Sequence, residues 1–361
     1  MRILYVSHRD ITHTMSGGAE VYANVFLKHL SNAGHSVDII TSRFDKQRRS
    51  ESISNLNFTR YRGYLGPHIA LPFRLFHLRY DVVIGDLGHV VPWPSLIFSR
   101  GKLICIFYHL HRRTLKGQVG KLKRKILVLI EKLYSIIYKR ATFVTISSTS
   151  HRDLISLGIN PDRIVIIPPS IDSKFFKPRK KAEKPHIIYF AGLRDYKRPH
   201  LAIQVLQRLL ERGIDTILTI TGDGPSLKKL QSISRNNNLD KHITFTGKIS
   251  REELAYKISI SHVNVQFSIA EGFGITAIEA AACGTPTVAF KVPGTVDAVK
   301  NGENGFLINN GDIDEFVDRV EELIRSSDQW LEKCIKFSKK YSEEVEGNSW
   351  LKMVEEANNQ K

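Results

Sequence analysis

The 361-residue sequence is longer than one core commonly supports, so two domains are expected, and a composition of 42% hydrophobic and 25% charged residues excludes a disordered or fibrous chain. No apolar run reaches the roughly 18 residues that cross a bilayer as a helix, and Cys105, Cys283 and Cys334 form an odd, scattered set without metal-ligand spacing, which argues against disulfides and zinc and points to a cytoplasmic setting. The net charge of +17 is unevenly spread: residues 1–180 hold 29 Lys and Arg against 11 Asp and Glu, and residues 181–361 hold 24 against 25.

In chain order, the opening "MRILYVSHRD" has too short an apolar core for a signal peptide and reads as a first buried strand. "AEVYANVFLKHLSNAG" follows as a helix closed by Gly34, then "SVDIIT" as the next strand. Further buried strands are expected at 81–86, 103–109, 143–148 and 163–169. Between them, "RRTLKGQVGKLKRKILVLIEKLYSIIYKR" (112–140) carries ten basic residues against the single acid Glu131. Its Ile126, Leu127, Leu129, Ile130, Leu133, Ile136 and Ile137 recur at helical spacing, so the segment reads as an amphipathic basic helix. Two uses are open for it: a domain helix with a solvated basic face, or a face that rests on an anionic membrane surface; nucleic acid is the third and least favoured partner.

The stretch 173–186, "SKFFKPRKKAEKPH", combines two prolines with six Lys and Arg and no periodicity, as an interdomain linker would. The alternation then restarts with "IIYFAG", "TILTITGDG", "ITFTGKI", "VNVQFS", "TPTVAF" and "GFLI" separated by helical segments. The expected organisation is an α/β chain with a Rossmann-like acceptor-side domain over 1–172, a linker over 173–186 and a second Rossmann-like domain over 187–345. Residues 346–361 would form a helix that packs back on the first domain. Two such doubly wound domains would face each other across a cleft, with ligands held at the carboxyl ends of the strands.

The motif that carries chemistry is "EGFGITAIE" (271–279). A strand ends near Ser268, a turn bearing Gly272, Phe273 and Gly274 comes next, and a helix begins at Ile275. Unpaired N–H groups at that helix start suit a phosphate, and two carboxylates, Glu271 and Glu279, suit the hydroxyls of sugars on either side of it. A nucleoside diphosphate sugar satisfies all three. The turn "GGAE" (17–20), with Gly18 at its centre, offers another helix start between a strand and a helix. "FAGLRDYKR" (190–198) supplies Arg194, Lys197 and Arg198 as cations for a departing diphosphate. By contrast Asp312–Ile313–Asp314, which has the spacing of a metal-binding pair, reads as a helix cap with Glu315, and no metal site is expected.

These residues resemble glycosyltransferase family 4, the retaining glycosyltransferases of the GT-B fold. "GGAE", "FAGLRDYKRP", "GDGP" (222–225), "TFTGKISREEL" (244–254), the E-x7-E pair Glu271 and Glu279, and "VPGTVDAVKNGENGFLI" (292–308) occur in the family's order. The resemblance implies that Glu279 holds the ribose hydroxyls, that Glu271 holds the transferred sugar, and that Gly247 and Ile249 contact the base. It assigns Lys197 to the diphosphate and a histidine near the sugar, for which His109 is the better match and His111 the neighbour. The sequence departs from the family pattern at Gly192, where an arginine is usual, so Arg194 or Arg198 is inferred as the second cation.

The activity so implied is hexosyl transfer from a UDP- or GDP-sugar to an acceptor hydroxyl with retention of configuration, without metal or cofactor. Lys197, Glu271 and His109 are the expected catalytic residues. The basic segment 112–140 suggests a lipid-linked or membrane-proximal glycan acceptor, with the protein peripheral on the inner membrane face. Two rival readings remain: a sugar-nucleotide epimerase on the same scaffold, and a non-catalytic basic protein that binds membrane or nucleic acid.

Overall fold

Apolar runs bounded by Gly, Pro and Asn turns become strands buried on both faces, and the intervening 3.6-residue periodicities become the helices that cover them. The computed structural model describes residues 1–14, 16–44, 47–88, 92–110 and 120–359; the side chains of 121, 123, 124, 358 and 359, like all of His111 and 112–119, lie outside the described residues. The chain divides into two units, Met1–Ser170 with Glu343–Lys361, and Ile171–Ser342. The stretch 173–186 therefore counts with the second unit. There the Lys181 ammonium donates to Thr285 Oγ1 at 2.7 Å and Ser259 O at 3.2 Å, and burial pulls its pKa down to about 8.

The first unit has eight strands: β1 Arg2–Val6, β2 Ser36–Arg43, β3 Ser50–Ile53, β4 Leu56–Arg62, β5 Val82–Asp86, β6 Lys102–Phe107, β7 Thr142–Thr145 and β8 Ile164–Ile166. Their spatial order is β3-β4-β2-β1-β5-β6-β7-β8, parallel except for the β3–β4 pair. Sequence patterning does not reveal that β3–β4 hairpin. Its two-residue turn, Ser54 and Asn55, carries φ of 52° and 61° without a glycine, and β4 buries a charged residue, Arg60. Arg60 is tolerated because its Nε donates to Asp10 Oδ2 at 2.6 Å and its NH1 pairs with Glu51. Burial raises the Asp10 pKa, but the bonds from Arg60 and Thr12 outweigh that and hold its carboxyl below the usual range.

One face of this sheet is covered by the helix Gly18–Asn32 and by the helix Glu343–Asn359 that returns to it. Trp350 is fully buried there, stacked on Phe26 at 4.0 Å with its Nε1 donating to Tyr22 Oη at 3.0 Å. Elsewhere in the same unit the helix Gly66–His77, the short 3-10 turn Pro94–Phe98 and the helices Lys121–Lys132 and Tyr134–Ile137 pack on a core of Leu4, Val6, Leu71, Trp93, Leu96 and Tyr134. The amphipathic helix read over 112–140 thus has two described helical parts. Its apolar row is not all inward: Leu122 is 74% exposed and Leu129 60%.

The second unit carries β9 His186–Phe190, β10 Ile217–Thr221, β11 Ile243–Gly247, β12 Val263–Gln266, β13 Thr287–Phe290 and β14 Gly305–Ile308, all parallel, in the order β11-β10-β9-β12-β13-β14. These are the six strands read from the pattern. Strand order reverses about β9, between β10 on one side and β12 on the other, which makes the carboxyl ends of β9 and β12 the topological switch point. The equivalent point of the first unit lies between β1 and β5.

Candidate functional site

The switch point of the second unit brings together the loop after β9 (191–198) and the loop after β12 (267–274), each of which the sequence marks as chemical. After β12 the chain turns through Gly274, whose φ of 94° lies in the left-handed region, and enters the helix Ile275–Ala282. No side-chain cap covers that helix start, so its first N–H groups remain available to an anion.

Lys197 and Glu271 meet across these loops. The Lys197 Nζ donates to both carboxylate oxygens of Glu271, at 2.5 and 2.6 Å, and Ser268 Oγ donates to Oε1 at 2.5 Å. The side chains retain 17% and 16% exposure, so the pair is sheltered but reachable. Glu271 is held from behind as well: its N–H donates to Pro293 O at 2.8 Å, and Gly294, at φ 89°, lies so close that a β-carbon there would collide with the Glu271 backbone. Gly294 is the part of "VPGT" that sequence reasoning left without a role. Its neighbour Thr295 donates to Phe290 O at 2.6 Å and accepts from Val292 N, which fixes the turn.

Arg198 is engaged differently from the expectation of a diphosphate cation. It adopts φ 48°, and its guanidinium donates from Nε to Phe267 O at 2.6 Å and from NH2 to Ser268 O at 3.2 Å and Asn310 Oδ1 at 2.7 Å. It ties the loop after β12 to the loop after β9. Arg194, in contrast, is exposed, and its side chain makes no ion pair or hydrogen bond among the described residues. Gly192 faces open space.

Glu279 sits in the second turn of the helix with 13% of its side chain exposed. Burial among apolar neighbours pushes its carboxyl up to about 7, against the opposing pull of Arg251, whose NH2 is 3.7 Å from Oε1. The presence of an acid in "ITAIEAAA" therefore has a local explanation. One distant cation partly compensates the carboxylate, which leaves acceptor capacity for a ligand hydroxyl.

Backbone bonds lace the neighbouring loops into the same edge. Leu193 N donates to Asp223 O, Ser226 N to Leu193 O, and Gly222 N to Gly247 O at 2.9 to 3.0 Å. Gly222 and Gly224 have positive φ and press on the carbonyls of Ala191 and Leu193, which only glycine permits. Gly247 ends β11 at φ 67°, with Ile249 half-buried two residues on. Phe273 is buried edge-on to Tyr341 at 5.7 Å, while Gly272 and Ile275 are half-buried.

In the first unit, Gly18 opens the helix Gly18–Asn32 and faces open space, while Glu20 accepts from Gly17 N at 2.7 Å and so occupies one of the amides there. His109 is half-buried just beyond β6. Sequence reasoning missed Asp86 at the end of β5. Buried, it accepts from Tyr5 Oη at 2.7 Å, Tyr108 Oη at 3.2 Å and Gly88 N at 2.6 Å. It also missed a stack at the first strand's end, where His8 lies between Tyr64 at 4.0 Å and Trp93 at 4.4 Å. Asp312 caps its helix by accepting from Glu315 N at 3.0 Å. Among the described residues no three His, Cys, Asp or Glu side chains converge.

Similarity to known proteins respects the division of the chain. The family model described as Glycosyltransferase Family 4 matches residues 16–175, and the one described as Glycosyl transferases group 1 matches residues 170–341. The chain is 31% identical over 205 residues to a D-inositol 3-phosphate glycosyltransferase of Pseudarthrobacter chlorophenolicus, covering 53% of this chain and 49% of that protein. It is 29% identical over 179 residues to a GDP-mannose-dependent alpha-(1-6)-phosphatidylinositol monomannoside mannosyltransferase of Mycolicibacterium smegmatis, covering 44% and 46%. The chain spans about half the length of the curated relatives it matches. Among solved structures, sucrose-phosphate synthase from Thermosynechococcus elongatus superposes with a TM-score of 0.80 at 20% identity over 100% of both chains. Anabaena HepE in complex with UDP-glucose gives 0.77 at 16% identity over 99% of this chain and 100% of that one.

Proposed function

Because the chain belongs to the family 4, group 1 glycosyltransferases and has their GT-B fold, we propose that it transfers a hexosyl group from a UDP- or GDP-sugar to an acceptor hydroxyl with retention of configuration. The observation that carries this reading is the Lys197–Glu271–Ser268 cluster at the β9/β12 switch point, beside an uncapped helix start and the largely buried carboxyl of Glu279. A diphosphate accepts bonds from the helix N–H groups and from Lys197. Glu271, released from the ammonium, accepts from hydroxyls of the hexose, and Glu279 from those of the ribose. In the reaction the bond from the anomeric carbon to the diphosphate oxygen breaks, the acceptor oxygen bonds to that carbon, and the acceptor hydroxyl's proton passes to the departing diphosphate. Lys197 and the unengaged Arg194 stabilise the charge that gathers on the leaving diphosphate, without a metal ion. Arg198 acts as a positioning residue, and His109 is assigned to orienting the sugar and handling the proton.

The acceptor is a lipid-linked or membrane-proximal glycan, and the protein works as a peripheral enzyme on the cytoplasmic membrane face. Support comes from the basic segment within 112–140 and from a relative whose name specifies a phosphatidylinositol monomannoside. No described helix is long and apolar enough to cross a membrane.

The test is incubation with UDP-, GDP- and ADP-hexoses, with and without chelator and candidate acceptors, monitoring nucleoside diphosphate release and the anomeric configuration of the product. Release that needs an acceptor, survives chelator and falls in Glu271→Gln supports the reading. A changed sugar nucleotide formed without acceptor indicates an epimerase, and no turnover with polyanion binding indicates a non-catalytic basic protein; either result overturns it.

A further inference from the structure

The helix Gly66–His77 is apolar on two sides. Its inner side, Pro67, Leu71 and Leu75, is buried in the first unit's core. Its outer side is apolar as well: Leu65, Ile69, Phe73 and Phe76, at helical spacing, are 66 to 76% exposed. A helix apolar on two sides is normally covered on both, and this one is bare on one. It packs on the turn Pro94–Phe98, which adds Ile97 and Phe98 at 51% and 66% exposure. A groove of about 540 Å³ is lined by Phe73, Phe76, Phe98 and Arg100. A second groove, of about 600 Å³, shares Arg100 and is also lined by Ile97, Ile136, Lys139 and Arg140.

The charge around this crest identifies what covers it. Residues 62–80, 92–103 and 132–140 contain Arg62, Arg74, Arg79, Arg100, Lys102, Lys132, Lys139 and Arg140 and no Asp or Glu; Asp81 and the buried Glu131 lie just outside them. Arg74 pairs with Asp38 at 3.1 Å, whereas Arg100, Lys139 and Arg140 make no ion pair among the described residues. A second copy of the same surface would set cation against cation, whereas a layer of lipid phosphates complements the rim and its acyl boundary accepts the aromatic crest.

We propose that this surface of the first unit docks on an anionic phospholipid bilayer, with Phe73, Phe76 and Phe98 entering the interface and Arg100, Lys139 and Arg140 meeting lipid phosphates. It deepens the reading of a membrane-proximal acceptor, on which it rests, by placing the principal contact on 65–76 and 97–100 rather than on the basic segment 112–132 alone.

The experiment is co-sedimentation of the full chain with vesicles of phosphatidylcholine alone and of phosphatidylcholine mixed with phosphatidylglycerol. The wild type is expected to bind the anionic vesicles preferentially. Phe73→Ser/Phe76→Ser/Phe98→Ser is expected to lose at least about tenfold in binding, with thermal stability unchanged because these side chains are exposed. Phe73→Trp/Phe76→Trp, which suits the interface, is expected to retain binding. If the wild type binds neither vesicle, both the docking surface and the membrane-proximal acceptor fail. If the serine variant binds like the wild type while Leu122→Ser/Ile126→Ser/Leu129→Ser does not, this surface alone is overturned. It is likewise overturned if the wild type sediments as a dimer that the serine variant dissolves with no change in vesicle binding.

Discussion

The two switch points of this chain are built from opposite materials. At β9/β12 the side chains are ionic: Lys197 bridges both oxygens of Glu271, Arg198 spans two carbonyls, and Glu279 sits in its helix with its carboxyl pushed up by burial. At β1/β5 they are aromatic and hydroxylic. There Asp86 is enclosed by two tyrosine hydroxyls, and His8 stacks between Tyr64 and Trp93. Two largely parallel sheets of the same kind therefore carry different side chains at equivalent edges. Function lies in the loops, and the strands supply only the position.

The difference breaks most visibly at Lys197. Lys197→Ala is expected to lower kcat about 10²–10³-fold, the cost of one preorganised donor to developing charge, while the melting temperature stays close to that of wild type. Steady-state kinetics with the best sugar nucleotide checks this; a loss confined to KM would mean that the lysine binds donor without assisting departure.

Stability separates the units next. Trp350→Ala should cost the first unit about 3–5 kcal/mol, because it empties a fully buried site against Phe26. Gly294→Ala should cost the second unit about 2–3 kcal/mol through its left-handed φ and the collision with the Glu271 backbone, and should lower activity with it. Chemical denaturation with ligand present and absent assigns each loss to its unit.

Glu279 gives a smaller, pH-dependent effect. Its folded value of about 7 stands above the ordinary 4.5, so the protein binds an extra proton on folding between those values. That contribution is complete below about pH 4.5 and is lost as pH rises through 7, a change on the order of 3 kcal/mol. Glu346 in the first unit, raised by burial to about 8, adds a loss of the same sign, so Glu279→Gln flattens only part of the profile. In the proposed role toward ribose hydroxyls, the ionised carboxylate is the stronger acceptor. Sugar-nucleotide affinity should therefore rise up to about tenfold from pH 6 to 8 in wild type and stay level in Glu279→Gln, as titration calorimetry would show. The smallest expected change is about tenfold in kcat for Arg194→Gln, with Arg198→Gln acting instead through loop order and stability.

Much of the second unit is legible in the sequence. Its six strands stand out as short runs rich in Ile, Val, Leu, Phe and Thr, three of them (β9, β10 and β11) ending on or close to a glycine, and "EGFGITAIE" places its helix start at Ile275 as the structure has it. The β3–β4 hairpin is not legible, because its turn uses Ser54 and Asn55 and its strand hides Arg60 behind a polar pattern. Periodicity finds the apolar row of 121–137 but does not say whether protein covers it, and much of it stays bare. Arg198 looks the same in sequence whether it faces a phosphate or a carbonyl. Gly294 shows its purpose only once the backbone of Glu271 lies against it.

The helix Glu343–Asn359 belongs to a unit whose other residues, 1–170, come before the whole of 171–342 in the chain. On the ribosome, the nascent first unit must therefore wait, with Phe26 and Tyr22 lacking their tryptophan partner, while its successor emerges and closes without interruption. The domain that starts first is the one that finishes last.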